Sequence, residues 1–343
     1  MNIKWSTYRL NCIHPFGISR STYSFYDVVY VYLKDGDIIG RGEAAPSARY
    51  NEFHDSIINQ LNSYKDWVLP DGNLEDTWSF LKKRSGKIKS LEAAFSMAVL
   101  DWWCQKNQQS VGSYFDVPEK PALLTSFTIA IGELNLLPKK IAEAKEYPIL
   151  KVKLGTDNDK EIMNIIRNET DKIVRVDANE GWTLESGIEM CYWLADRNVE
   201  FIEQPLPAKD VDITAKLKEE SPLPIIADEN SLFSSDIPGI AHAFDGINIK
   251  LMKCGSLFEA HKMITTANKY NLKIMLGCMV ESSVGITAAS HLSPFVDYAD
   301  LDGHILIDND PYRGTIVNEG SLILPKGVGL GISKHTGMPE YLL

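Results

Sequence analysis

The chain is poor in the features that mark several protein classes. Its five cysteines, Cys12, Cys104, Cys191, Cys254 and Cys278, are odd in number, widely spaced and nowhere arranged as Cys-x-x-Cys. That pattern argues against a disulfide framework or a zinc site and fits a reducing compartment, so a cytoplasmic protein is expected. No apolar run approaches the ~18 residues of a membrane span, and Met1-Asn-Ile-Lys-Trp-Ser carries no apolar core of signal-peptide length. No membrane partner is expected. Lys and Arg form no stripe, and a net charge of −11 leaves nucleic acid without an electrostatic footprint. The acidic excess chiefly confers solubility. The seven histidines show no ligand spacing, and there is no Gly-x-Ser-x-Gly or Walker loop. Gly327-Val-Gly-Leu-Gly331 follows no βα unit and opens no helix. Nucleophilic hydrolysis and phosphoryl transfer therefore have no support.

What the chain does have is a period. Lys153, Asp177, Glu203, Asp228 and Lys250 follow one another at steps of 24, 26, 25 and 22 residues, and Asp300 stands 50 residues on. The first five each end a short β-branched run: Ile149-Leu-Lys-Val-Lys153, Ile173-Val-Arg-Val-Asp177, Phe201-Ile-Glu203, Pro224-Ile-Ile-Ala-Asp228 and Ile247-Asn-Ile-Lys250. Between them lie helical spacings, as in Thr183–Asn198, with Ile188, Cys191, Tyr192 and Leu194 inward, and Ser256–Tyr270. Eight strands are expected, near 123–129, 149–154, 173–177, 200–204, 224–228, 246–250, 273–277 and 298–302. The fold class is α/β: a (β/α) barrel of the modified TIM type with an N-terminal α+β capping domain. Residues 1–118 form the cap, with a C-terminal return over 315–343, and 119–314 form the catalytic barrel.

In the cap, strands are expected at 3–12 and 26–34, a hairpin turn at Lys34-Asp-Gly-Asp, and a further strand from Ile38. Helices are expected at 53–69, 74–84 and 88–107. Leu91, Ala94, Phe95, Ala98, Val99 and Trp102 mark the core face of the third. His14 to Tyr26, rich in Gly, Ser and aromatics, reads as a mobile loop able to act as a substrate lid.

Strand ends of a parallel barrel share one face, where chemistry takes place. Asp177, Glu203 and Asp228 on three neighbouring strands, about 5 Å apart, raise one another's pKa unless a cation intervenes. Hard oxygen donors with room for water and substrate favour Mg²⁺, one per chain. Lys151 and Lys153 lie two apart on one strand and point the same way. Each cation, with partial burial, is expected to lower the other's pKa and so bring a neutral amine within reach near pH 7. Lys250 ends the sixth strand, opposite the second, which places a lysine on each face of a substrate held at the acids. Lys253 reads as structural or exposed. Asp300 and Asp302 share a face on the eighth strand. They either neutralise the lysines or receive a substrate ammonium.

Several motifs resemble the muconate-lactonizing branch of the enolase superfamily: Lys151-Val-Lys153-Leu-Gly, Val176-Asp-Ala-Asn-Glu-Gly-Trp182, Ile202-Glu-Gln-Pro205, Ala227-Asp-Glu229, Asn248-Ile-Lys-Leu-Met-Lys253 and, in the cap, Gly42-Glu-Ala-Ala-Pro46-Ser47. Gly277-Cys-Met-Val-Glu-Ser282 and Asp300-Leu-Asp302 narrow the resemblance to dipeptide epimerases of the L-Ala-D/L-Glu type. It spans essentially the whole chain. The resemblance implies Mg²⁺ on Asp177, Glu203 and Asp228, acid/base catalysis by Lys153 and Lys250, and Lys151 beside the substrate. It implies the dipeptide's α-ammonium on Asp300 and Asp302, and a pocket wall of Cys278, Met279 and Glu281. In the capping loop Arg20 meets an acidic side chain, or Tyr23 with Phe25 and Tyr26 favours an apolar one. A lysine base with Mg²⁺ is an established trait of that superfamily rather than a consequence of the spacing.

The expected activity is a Mg²⁺-dependent 1,1-proton transfer through an enediolate, inverting the α-carbon of the C-terminal residue of a small dipeptide. It belongs to peptidoglycan peptide metabolism. The alternatives are a cycloisomerase or o-succinylbenzoate synthase acting on a diacid, whose substrates give Asp300 and Asp302 no ammonium to bind, or a barrel that has lost catalysis. Barrels of this sort often assemble into homo-oligomers, but no helix face in the sequence marks an interface.

Overall fold

The computed structural model describes residues 1–343 apart from 20, 65, 66, 68 and 71. The N-terminal part is an antiparallel meander of β1 (Asn2–Ile18), β2 (Ser21–Asp35) and β3 (Ile38–Ala44). Gly36, at φ +59°, supplies the left-handed residue of the β2–β3 turn. Helices α1 (His54–Asn62), α2 (Leu74–Arg84) and α3 (Lys89–Lys106) follow. The six expected core residues of α3 are all buried. Its polar face is buried as well, because β3 covers one side and the barrel and the C-terminal tail cover the others. Gly40 and Gly42 on β3 let the sheet approach α3 at Ala98 and Ala94, where a Cβ would fall 2.0 and 1.9 Å from a carbonyl oxygen.

The segment from His14 to Tyr26 is not a loop. β1 continues to Ile18 and β2 begins at Ser21, with Phe16 paired to Tyr23, Gly17 to Thr22 and Ile18 to Ser21. A register shift between Asn11 and Phe16 takes up Pro15, whose missing N–H is tolerated at such an irregularity. Thr22, Tyr23, Phe25 and Tyr26 are strong β formers, and pairing outweighs the Gly and Ser content. The ribbon reaches the barrel rim: Ile131 donates its N–H to the Gly17 carbonyl at 2.9 Å.

From Phe127 on, eight parallel strands run in chain order: β4 (Phe127–Ile129), β5 (Ile149–Lys153), β6 (Ile173–Asp177), β7 (Val199–Glu203), β8 (Ile225–Ala227), β9 (Gly246–Lys250), β10 (Lys273–Gly277) and β11 (Tyr298–Asp300). A bridge between Thr125 and Ala299, with Ser126 N–H donating to the Ala299 carbonyl, brings the two ends of the sheet together. The lower interior is solid. Phe201 and Tyr298 rings meet at 5.0 Å, and the Arg175 guanidinium lies 5.3 and 5.1 Å from their centroids. All chemistry is thus confined to the upper face.

The helix Leu184–Ala195 starts on a Thr183–Ser186 capping box and buries Gly187, Met190, Cys191 and Leu194. Tyr192, expected inward, is 54% exposed. The buried stripe runs i, i+3, i+4, i+7 from Gly187, and Tyr192 falls outside it. After Asp302 the chain returns to the cap. Leu330 N–H donates to Asp101 of α3, and Arg41 of β3 donates to the Leu343 carbonyl. Among the described residues no helix is long and apolar enough to cross a membrane.

Candidate active site

Register decides which side chains meet. Lys153, Asp177 and Glu203 are direct neighbours across β5, β6 and β7. Lys250 is level with Gly277 on β10, and Asp228 stands one residue past β8. These five form a buried upper layer, with Lys151 one layer below. Asp177, Glu203 and Asp228 each place an oxygen within 4.8 Å of the others.

The lysines interleave with these acids. Lys153 Nζ lies 2.6 Å from Asp177 Oδ2, and Lys250 Nζ 2.8 Å from Asp228 Oδ2. Lys151 Nζ meets Asp177, Glu203 and Asp300 at 3.1, 2.6 and 2.7 Å. For Lys151 this corrects the expectation of a depressed pKa. Burial does oppose the charge on Lys151, but Asp300, Glu203 and Asp177 together outweigh it and hold the ammonium well above its usual range. Burial likewise opposes the charge on Lys250, and Asp228 with Glu203 more than offsets it. Despite their burial, Asp177 and Asp228 are held below the usual carboxylate range by the lysines beside them. Glu203 is pushed up by burial and by Asp177. Three buried carboxylates, each with an oxygen within 4.8 Å of the others, form an all-oxygen donor set. That fits a small hard divalent cation.

Asp300 is engaged on both oxygens, by Ser126 Oγ and Lys151 Nζ, each at 2.7 Å. Asp302 accepts the Thr128 N–H at 2.7 Å, and burial with the neighbouring Asp300 pushes its pKa up. Cys278 and Met279 are half-buried beyond β10, with the Cys278 thiol donating to the Asp300 carbonyl. Glu281 accepts the Met279 N–H at 2.7 Å, and burial followed by Glu43 pushes it up to about 8. Tyr23 does not join the buried layer: it is 46% exposed and packs on Tyr26 at 5.6 Å between ring centroids. Arg20 lies outside the described residues.

Several residues at the site carry no period and escaped the sequence reading. Lys253 is fully buried, donating to Asp228 Oδ1 at 2.5 Å and to the Asn248 carbonyl at 2.9 Å. Asn248 donates to Glu203 Oε1 at 2.6 Å. Glu43 of β3 accepts Ser282 N–H, Ser282 Oγ–H and Gly285 N–H, so a cap carboxylate holds the start of the barrel helix Ser283–Ser290. Arg49 makes a two-pronged pair with Glu180, at 3.0 Å for each bond. The Tyr50 phenol is pushed up by burial and by Asp228, which puts it beside the acid layer. The only signal for these was their membership in quoted motifs, Asn248 to Lys253 and Gly42 to Ser47, or adjacency to one.

A family model described as enolase C-terminal domain-like matches residues 137–336. The L-Ala-D/L-Glu epimerase of Bacteroides thetaiotaomicron is 36% identical over 337 residues, covering 97% of this chain and 88% of its own. The L-Ala-D/L-amino acid epimerase of Pedosphaera parvula is 36% identical, covering 97% and 99%. The chain belongs to the dipeptide epimerases of the enolase superfamily. As a dipeptide epimerase it is an isomerase. Its fold matches the crystal structure of a dipeptide epimerase from Enterococcus faecalis, complexed with Mg and the dipeptide L-Leu-L-Tyr. The TM-score is 0.89 at 27% identity, over 97% of this chain and 99% of that one.

Proposed function

We propose that this protein inverts the α-carbon of the C-terminal residue of a dipeptide by moving a proton between Lys153 and Lys250, with Asp177, Glu203 and Asp228 holding one Mg²⁺. The observation that carries this reading is the placement of two buried lysines on β5 and β9, four strands apart in an eight-stranded ring, with the three acids on the strands between. One lysine, as the free amine, takes the α-proton. The electron pair left on carbon spreads into the adjacent carboxylate as an enediolate. The other lysine, as the ammonium, returns a proton to the opposite face. The two lysines finish with their protonation states exchanged, and exchange with solvent resets them. When bound, Mg²⁺ would stabilise negative charge developing on substrate oxygen.

Lys151 stays charged, neutralises the layer from below and stands beside the substrate. Asp302, backed by Asp300, receives the α-ammonium. Cys278, Met279 and Glu281 wall the pocket, Tyr23 on the β1–β2 ribbon covers it, and Arg20 also takes part in binding substrate. Residues 1–118 with 315–343 act as cap and 119–314 as catalytic barrel, in a cytoplasmic enzyme of peptidoglycan peptide metabolism. Ala-Glu-type dipeptides, after the Bacteroides relative, are the first to assay.

The test is solvent deuterium exchange into each epimer in the presence of Mg²⁺. Wild type exchanges both epimers. Lys153→Ala and Lys250→Ala each lose epimerisation by about 10²–10⁴-fold, each retaining exchange into one epimer only, and the two variants retain opposite epimers. EDTA stops exchange, and Mg²⁺ restores it. Equal loss of both exchanges in both variants would falsify the two-base scheme.

A further inference from the structure

Each of the three acids has one oxygen taken by a donor that is not a catalytic lysine. Asp177 Oδ1 accepts the Asn179 N–H at 3.0 Å. Glu203 Oε1 accepts from Asn248 Nδ2 at 2.6 Å. Asp228 Oδ1 accepts from Lys253 Nζ at 2.5 Å. The second oxygens, Asp177 Oδ2, Glu203 Oε2 and Asp228 Oδ2, face Lys153, Lys151 and Lys250.

These donors are fixed in place. Lys253 spends its three N–H bonds on Asp228 Oδ1, the Asp228 carbonyl and the Asn248 carbonyl. Ser231 Oγ donates to the same Asn248 carbonyl at 3.1 Å. Asn248 lies two residues before Lys250 on β9, so both point into the barrel. Its carboxamide fits only because residue 277 on β10 is glycine: a Cβ there would fall 2.5 Å from Asn248 Oδ1 and 2.7 Å from Nδ2. Asn248 Oδ1 is buried and has no hydrogen-bond partner among the described residues. An unsatisfied buried oxygen opposes stability. The amide is therefore kept for its one bond, to Glu203, and a leucine of similar volume would serve packing better.

The number of free oxygens bears on the choice of cation. Ca²⁺ takes about six to eight oxygens and accepts carboxylates through both, whereas Mg²⁺ takes six and keeps several waters. Acids that each have one oxygen already engaged suit the smaller demand.

We propose that Asn248 is a positioning residue for cation selectivity: by holding one oxygen of Glu203 it keeps that acid to a single donor. With Lys253 and the Asn179 N–H doing the same for Asp228 and Asp177, the site favours Mg²⁺ over Ca²⁺. The proposal rests on the reading of the three acids as the Mg²⁺ site.

The experiment uses the full chain without substrate. Bound Mn²⁺ is followed by EPR of the free ion, and Mg²⁺ or Ca²⁺ is titrated in as competitor, so both affinities are read without an activity assay. In wild type, Mg²⁺ should displace Mn²⁺ at lower concentration than Ca²⁺. Asn248→Leu frees Glu203 Oε1. Its Mg²⁺ affinity should fall about 10–100-fold and its Ca²⁺ affinity less, so that the Ca²⁺-to-Mg²⁺ affinity ratio rises about tenfold. Gly277→Ala, which keeps the amide and pushes it from its seat, should move the ratio the same way, and it carries the test if thermal melts show Asn248→Leu unfolded. The proposal is overturned, with the metal site intact, if Ca²⁺ is the better competitor in wild type. Equal weakening of both ions in the variants, or no change in either, would also overturn it. If wild type holds no Mn²⁺, the Mg²⁺ reading falls as well.

Discussion

Glu281 and Glu43 face each other across the junction of cap and barrel, both fully buried, and burial pushes them up to about 8 and about 7. Both are acids whose folded pKa is raised. Between the unfolded carboxylate range and those values the native state keeps protons that the unfolded chain has lost, so stability falls as pH rises through that window. Glu281→Gln keeps the oxygen that accepts the Met279 N–H and removes the ionisation. Thermal melts of the variant should show a flatter dependence of Tm on pH between about 5 and 8 than wild type. An unchanged one would mean that Glu281 is ionised in the native state. At the same scale, the landmarks that sequence period exposed are those whose backbone position alone fixes their partners. Lys153, Asp177 and Glu203 end adjacent strands, and adjacent strand ends must meet. Lys253, read as structural or exposed, is buried on Asp228. It lies past β9, where no period says which way a side chain points, so sequence could not decide between the two.

At the scale of elements, the tightest junction is β3 against α3. Gly40 and Gly42 share one face of the strand, and Ala94 and Ala98 share one face of the helix, so backbones approach to distances that no Cβ permits. Gly42→Ala should therefore destabilise the protein by ~1–3 kcal/mol or more, measured by urea unfolding, because the strand must lift off the helix. A change under about 0.5 kcal/mol would show that the two elements slide freely. Strand positions in the barrel were legible from β-branched runs, since both faces of a parallel sheet are covered. The hairpin at 14–26 was not. Its composition favours a loop, and only pairing with its own return strand and with Ile131 makes it a ribbon.

For the molecule as a whole, polar contacts join cap and barrel: among them, Glu43 holds the start of a barrel helix and Arg49 clasps Glu180. The Arg49 pair lies near the acid layer and is partly exposed. Arg49→Ala should cost less than about 1 kcal/mol of stability. It should still raise KM for dipeptides several-fold with kcat nearly unchanged, because closure of the cap over the substrate is weakened while the lysines keep their positions. Steady-state kinetics decides this: a fall in kcat at constant KM would mean that the pair acts on the chemistry instead.

Taken alone, the sequence determined the repeat, the eight strands, the three acids and the two opposed lysines. Each follows from local rules: β-branched runs, helical spacing, and one charged residue per strand end. Only the tertiary structure decided how charge is shared at the rim. It shows Lys151 bound by three carboxylates, both oxygens of Asp300 engaged, and Asp302 accepting the Thr128 N–H. Charge sharing depends on distances of a few ångströms between residues 26 to 174 positions apart, and no local pattern encodes those. The division between what could and could not be read follows the range of the forces: backbone geometry is local, and electrostatics and packing volume are not.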